Sequence, residues 1–159
     1  MAYTSTQLSD LELIRDCAMR YCRGVDRLDA ELMKSAYWPE ATDDHGVYQG
    51  PAYPFVDHCM QSHKRWRATS HCIFNHSISL DADGVHACGE IYNVTYLFHK
   101  DSDSLDTWHG RYLDRYEKRG EEWRIIERVC VHEGTHSDAI GAMAIAAEAF
   151  RQGSFDRAD

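Results

Sequence analysis

The hydrophobic period of this chain changes at Thr69, and that change limits what the chain can fold into. Before it, apolar residues recur at helical spacing. Leu11, Ile14, Ala18, Tyr21, Val25 and Leu28 alternate steps of three and four, which marks one buried face of a long helix. Ser9 and Glu12 stand as a capping box ahead of that run. Asp29 is placed to cap a short second helix carrying Leu32, Met33 and Ala36, which Pro39 stops. A turn at His45-Gly46 suggests a small hairpin over Ala41–Gly50. A third helix is expected after Pro51, with Phe55, Cys59 and Trp66 inside and His58, Lys64 and Arg65 nearer water.

From Thr69 the period is two. Thr69–Leu80, Val85–Lys100, Trp108–Lys118 and Trp123–His132 read as strands, joined by Asp81-Ala82-Asp83-Gly84, the polar Asp101–Thr107 loop and Arg119-Gly120-Glu121. Short turns between long strands make an antiparallel meander. Gly141–Gln152 reads as a last amphipathic helix, with Ala142, Ile145, Ala149 and Phe150 apolar. The expected fold is α+β, with helices covering one face of the sheet. It is one domain over 1–140, followed by a helix and tail at 141–159.

Strict alternation puts Cys72, Phe74, Ile78 and Leu80 on one face of the first long strand, and His71, Ile73 and Asn75 on the other. In the last strand Ile125, Val129 and Val131 oppose Ile126, Arg128 and Cys130. Neither face is purely polar. One is expected to line a pocket and the other to pack against a further copy of the chain, as a dimer or trimer. Periodicity does not say which face does which.

Charge excludes some partners. A net charge of −9, from 17 Lys and Arg against 26 Asp and Glu, leaves no basic stripe for nucleic acid or an anionic membrane. No apolar run reaches membrane-spanning length, and MAYTSTQLSD lacks the pattern of a signal peptide. A cytoplasmic protein is expected. The six cysteines form no C-x-x-C pair and read as reduced, buried small hydrophobes.

Asp26 carries the chemistry. It sits at the edge of the buried stripe, one residue after Val25, where a carboxylate must find a partner. The candidate partner is His71, as a base whose tautomer the carboxylate holds; alternatively Asp26 pairs with Arg23 one turn earlier and His71 bonds within the core. Tyr21 either donates to a leaving oxygen or fills its place in the stripe. Arg128 either stabilises developing negative charge or pairs with Asp114 or Glu127. Asn75, Tyr92 and Tyr112 reach a ligand if the pocket face contains His71, and are otherwise ordinary sheet residues. His132-Glu133-Gly134-Thr135-His136 matches the H-E-x-x-H zinc motif. That motif needs a helix to bring its histidines together, and here it follows a β-run. No metal or organic cofactor is expected.

The order of elements, with RYCRGVD, ATDDHGVYQG, TSHCIFNHSI and GRYLDRYEKRGEEWRIIER, resembles the SnoaL-like branch of the nuclear transport factor 2-like superfamily over roughly residues 8 to 135. The resemblance implies a cone-shaped barrel, a strongly bent antiparallel sheet wrapped by three helices around a deep pocket. The family includes scytalone dehydratase, hexachlorocyclohexane dehydrochlorinase, bile-acid dehydratase and lyases that release formaldehyde from lignin-derived dimers. Non-catalytic subunits of aromatic-ring dioxygenases belong to it too.

By that resemblance His71, in H-x-x-x-N ending at Asn75, is the base and Asp26 orients it. Tyr21, five residues before Asp26, matches the dehydratases, and Arg128, five after Trp123, matches the dehydrochlorinase. Asp43, Asp44 and His45 depart from the aromatic residue of the dehydrochlorinase, which implies a more polar substrate end. The implied function is a cofactor-independent lyase expelling water, halide or a small carbonyl such as formaldehyde from an aromatic or polycyclic substrate, with lignin-derived dimers among the candidates. Its substrate-binding residues would be Asp43, Asn75, Tyr92 and Tyr112. The alternatives are a non-catalytic binding module or dioxygenase-subunit-like protein, and an isomerase or epoxide hydrolase on the same fold.

Overall fold

A computed structural model describes residues 2–141 and 145–154. The first helix, α1, runs Ser5–Asp26, one turn earlier than expected. The capping box belongs to Thr4 and Gln7, not Ser9 and Glu12; Thr4 is the residue with extended backbone beside free helical N–H groups, whereas Ser9 lies inside the helix. Its stripe is buried as the spacing predicts, from Leu11 through Val25.

The chain then turns sharply. Leu28 adopts φ 49°, and Asp29 caps α2 (Ala30–Lys34) by accepting from Leu32 N–H at 3.0 Å. The two helices touch at Gly24, where a Cβ would stand 2.6 Å from the Met33 backbone nitrogen. Only glycine permits that approach.

The hairpin forms from β1 (Tyr37–Asp44) and β2 (Gln49–Pro51), and α3 (Ala52–Ser62) follows Pro51. A 3-10 turn, His63–Arg65, ends α3, so Trp66 opens the first long strand instead of belonging to the helix. The strands β3 (Trp66–Leu80), β4 (His86–His99), β5 (Ser104–Arg119) and β6 (Glu122–Ala139) form the expected meander. They are longer than the hydrophobic runs, because the polar segment Ser104–Thr107 pairs with His136–Ala139 through the backbone ladder, helped by a bond from Ser137 Oγ to Asp106, and not through apolar side chains.

The sheet order is β2-β1-β6-β5-β4-β3, and β1 lies parallel to β6. That single parallel pairing joins segments far apart in sequence and leaves no local signature. The curled sheet is open, not a closed barrel, with β2 and β3 at its edges. The core fills its concave side, where Ile14, Tyr21 and Val25 of α1 and Phe55 and Val56 of α3 meet Ile91, Tyr112, Tyr116 and Ile125 of the sheet. Among the described residues no helix is long and apolar enough to cross a membrane.

Two bulges reverse the expected alternation. Ile73 pairs with Asn93 and His76 with Ile91, so Phe74 and Asn75 together oppose Tyr92. The extra residue flips the strand: His71 and Ile73 face inward before the bulge, and His76, Ile78 and Leu80 after it. In β6, Arg115 pairs with Glu127 and Tyr116 with Ile125, which leaves Ile126 over and brings Ile125, Arg128 and Cys130 to one side.

Of the helix expected over Gly141–Gln152, residues 142–144 lie outside the described residues. The remainder holds one 3-10 turn, Ala147–Ala149. Ile145 and Phe150 are exposed, so an apolar stripe there finds nothing to pack against, and a helix this short does not persist unsupported.

Candidate active site

The end of α1 and the start of β3 meet at Asp26. Its carboxylate takes three hydrogen bonds: Thr69 Oγ1 donates to Oδ1 at 2.7 Å, the His71 backbone N–H to Oδ2 at 2.8 Å, and His71 Nδ1 to Oδ1 at 2.6 Å. The side chains of His71 and Asp26 are only 8% and 14% exposed. The carboxylate therefore binds His71 in preference to the alternative partner Arg23. A carboxylate only accepts, so the neutral imidazole carries its proton on Nδ1 and presents a lone pair at Nε2.

His71 lines an open cavity of about 480 Å³ between the helices and the sheet. Tyr21, Phe55, Trp66, Trp108 and Tyr112 supply its aromatic wall, and His45, His63, His132 and Arg65 are among its polar groups. His63 lies on the 3-10 turn with its ring 5.9 Å from that of His71. Its Nδ1 donates to the Cys59 carbonyl at 3.1 Å. Burial, reinforced by the charge of protonated His71, pulls its pKa down to about 4, so it is neutral at pH 7.

A second imidazole–carboxylate pair borders the same cavity. His45 Nδ1 contacts Asp43 Oδ1, and Tyr37 donates to Asp43 Oδ2 at 2.6 Å. The other ring nitrogen, Nε2, lies 3.2 Å from the Tyr21 hydroxyl. Phe55 stacks on the His45 ring, centroids 4.3 Å apart. Burial, with the neighbouring Tyr112 and Tyr37, raises the Tyr21 pKa well above the ordinary phenol value, and Tyr21 remains a neutral donor.

Arg128 sits behind this wall. Its side chain is fully buried and grips Asp114 with Nε and Nη2, both at 2.7 Å. Tyr116 donates to the same carboxylate at 2.7 Å. The guanidinium lies under Tyr21 and Tyr112, 4.3 and 4.1 Å from their ring centroids, a cation–π arrangement. Burial alone would lower its pKa; the Asp114 carboxylate overrides that and holds it well above the usual value.

The structure thus brings His71, Tyr21 and Tyr112 to the cavity wall, with Asp26 behind His71 and Asp43 behind His45. Arg128 takes its alternative partner, Asp114, and meets the cavity only through the two tyrosine rings. Asn75 and Tyr92 do not join the site. Asn75 is carried outward by the bulge in β3, and Tyr92 alternates away from the inward Ile91 and Asn93.

Thr69 and His63 are site residues that the sequence reading did not single out, and His45 entered it only within the polar run Asp43-Asp44-His45. Thr69 stands two residues before His71 on one strand, so period two would have found it. His45 stands two residues after Asp43 at the end of β1. His63, at a helix end outside any periodic run, gives no such signal. The H-E-x-x-H motif lies on β6, where an extended chain separates residues i and i+4 by roughly 13 Å. His132 Nε2 bonds Thr135 Oγ1 at 2.7 Å and His136 pairs with Asp138 at 3.0 Å. Among the described residues no group of three or more His, Cys, Asp or Glu is arranged to hold a metal ion.

This curled sheet, its helices and its pocket define a SnoaL-like cone. The SnoaL-like domain family matches residues 6–129, and the chain belongs to that family, within the nuclear transport factor 2-like superfamily. No curated protein matches the chain in sequence. Among solved structures it is similar to a candidate scytalone dehydratase of Novosphingobium aromaticivorans DSM 12444, with TM-score 0.75 and 16% identity over 91% of this chain and 99% of that one. It is also similar to hexachlorocyclohexane dehydrochlorinase LinA-type3 of Novosphingobium barchaimii LL02, with TM-score 0.76 and 15% identity over 88% and 97% of the two chains. A candidate aromatic ring hydroxylase of N. aromaticivorans gives TM-score 0.73 and 16% identity over 82% and 94%. At these identities the likeness establishes the fold.

Proposed function

We propose that the protein is a lyase in which His71 removes a proton from a carbon next to a leaving group, with Asp26 holding the ring and stabilising the imidazolium as it forms. The observation that carries this reading is the 2.6 Å bond from His71 Nδ1 to Asp26 beside an open cavity. A binding module would have no need to fix one tautomer of a histidine at its cavity wall. Both proton transfers fall to groups of this chain, so the proposed step is cofactor-independent. Family neighbours named as a dehydratase and a dehydrochlorinase fit a reaction of this class.

The wall suggests the substrate. A cavity of about 480 Å³ lies in the range of small-molecule sites. Phe55, Trp66, Trp108 and Tyr112 offer faces and edges for flat rings. Tyr21, protonated and at the wall, suits a leaving oxygen better than a halide. The substrate we favour is an aromatic alcohol that loses water, or a lignin-type dimer that loses formaldehyde. In the second case His71 would take the proton from the hydroxymethyl oxygen instead of from carbon. The C–C bond to that group would break as the C=O forms, and its electrons would form the double bond as the neighbouring oxygen leaves. Product analysis of aromatic alcohols and lignin-type dimers incubated with pure protein tests this, with His71→Ala as the control. An olefin or enol ether formed by the wild type and not by the variant is expected. Equal products from both would overturn the reading.

A further inference from the structure

The second imidazole has a chemistry of its own, and it rests on the lyase reading above. We propose that Asp43, His45 and Tyr21 form an acid relay, in which His45 supplies through Tyr21 the proton that the leaving group takes. His71 is then the base and Tyr21 the acid, both opening on one cavity. His45 is a positioning and proton-supplying residue, and Tyr21 is the group that touches substrate.

Geometry and charge both support this. Asp43 and His45, two apart at the end of an extended strand, present their side chains to one side. The Asp43 carboxylate is 1% exposed and needs a counter-charge. Arg128, its neighbour in the β1–β6 ladder, is committed to Asp114 through Nε and Nη2, and its Nη1 makes no bond among the described residues. What Asp43 does hold is the Tyr37 hydroxyl and the His45 ring. In the relay the imidazolium of His45 is the cation that balances it. An imidazolium donates from both nitrogens: Nδ1–H to Asp43 and Nε2–H to the Tyr21 oxygen, 3.2 Å away. That leaves the Tyr21 proton free for the cavity. Facing the pair are Phe55 from α3, Tyr112 from β5 and Tyr21 from α1. The Asp44 carboxylate, between Asp43 and His45 in the chain, accepts from Gly46 N–H and Gln49, and Arg128, gripping Asp114, lies behind Tyr21.

The step balances. His71 Nε2 takes the proton from carbon, those C–H electrons form the double bond, and the bond to the leaving oxygen breaks. That oxygen takes the Tyr21 proton while His45 Nε2–H replaces it on the phenol. Water or an alcohol departs, His45 ends neutral and His71 ends as imidazolium. Solvent returns the proton from one to the other. The raised pKa of Tyr21 fits a hydroxyl that passes a proton on without resting as phenolate.

Two measurements on the whole chain test the relay. In ¹⁵N-histidine spectra at pH 7, with His45 assigned through His45→Gln, both of its ring nitrogens should be protonated, and Tyr21→Phe should move the Nε2 resonance. A bare Nε2 accepting from Tyr21 would overturn the proposal whatever the substrate. The second compares elimination from a β-hydroxy aryl ketone and its β-(4-nitrophenoxy) counterpart, whose leaving group needs no acid. Tyr21→Phe and His45→Gln should each lower the hydroxy-to-nitrophenoxy rate ratio by about a hundredfold or more. An unchanged ratio would overturn the relay and leave His45 a structural residue. His71→Ala should depress both rates together. Turnover of both probes by that variant, or of neither by wild type, would count against the lyase reading, and the spectra would still decide the relay.

Discussion

Asp26 holds His71 at two points, the backbone N–H at 2.8 Å and the ring Nδ1 at 2.6 Å. One carboxylate at the end of α1 thereby fixes both the strand that carries the imidazole and the imidazole itself. Thr69 adds a third bond at 2.7 Å, which keeps the carboxylate from rotating.

Asp26→Asn should be severe. An amide oxygen in the Oδ1 place still accepts from Thr69 and His71 Nδ1, yet its NH2 then faces the His71 backbone N–H, and a neutral amide no longer stabilises the imidazolium. Turnover should fall by about a hundred- to ten-thousandfold, with KM changing far less. Steady-state kinetics on a verified substrate would measure it.

Thr69→Val should cost less, about tenfold in kcat or under, because two of the three bonds to Asp26 survive. A small drop in melting temperature should accompany it. A loss as large as that of Asp26→Asn would mean that Thr69 touches the substrate itself.

Arg128 and Asp114 form a buried pair whose worth lies in being complete. Arg128→Met leaves Asp114 buried and uncompensated, and should destabilise the fold by about 3 to 5 kcal/mol. Adding Asp114→Leu should recover part of that loss. Urea denaturation of the single and double variants would show the recovery.

Acid should unfold the protein through histidines that resist protonation. Burial lowers both His63 and His76 to about 4, from an ordinary 6.5. The unfolded chain binds these protons below about pH 6.5 and the folded chain does not. Their stabilisation is therefore full above that pH and is lost as pH falls through about 4. For His63 the effect is of the order of 3 kcal/mol. Urea midpoints between pH 7 and 4 should drop steeply in wild type and less in His63→Gln.

How much of this was legible in the sequence depended on whether local pattern or distant pairing decided each position. The stripe from Leu11 to Val25 and the meander from Thr69 follow from periodicity, so the buried face of α1 and the strand that carries His71 were legible, and with them Asp26 beside His71. The start of α1 and the start of β3, which depend on capping and on where a helix gives out, were not. Asn75 was misplaced because one extra residue at the β3 bulge reverses every face after it, and Phe74 and Asn75 carry no mark of that. Arg128 was visible as a charge on a mostly apolar face, with Asp114 among its candidate partners, but whether it meets the cavity depends on Tyr21 and Tyr112 closing over it from two other elements. His45 reaches the pocket because β1 lies parallel to β6, a pairing between segments too distant for any window to detect. The helix expected after Gly141 shows the opposite case: its local pattern is good, yet its described part holds only a 3-10 turn with Ile145 and Phe150 exposed, and an apolar face left unburied does not hold a helix.

The account stands most directly on His71→Ala, assayed on any substrate the wild-type protein is shown to turn over. With helix content and melting temperature held near wild type, the rate should fall by about a hundredfold or more, because the base held by Asp26 is gone. A well-folded His71→Ala protein with near wild-type turnover would contradict the account, and proton removal would then have to begin at another group of the cavity wall.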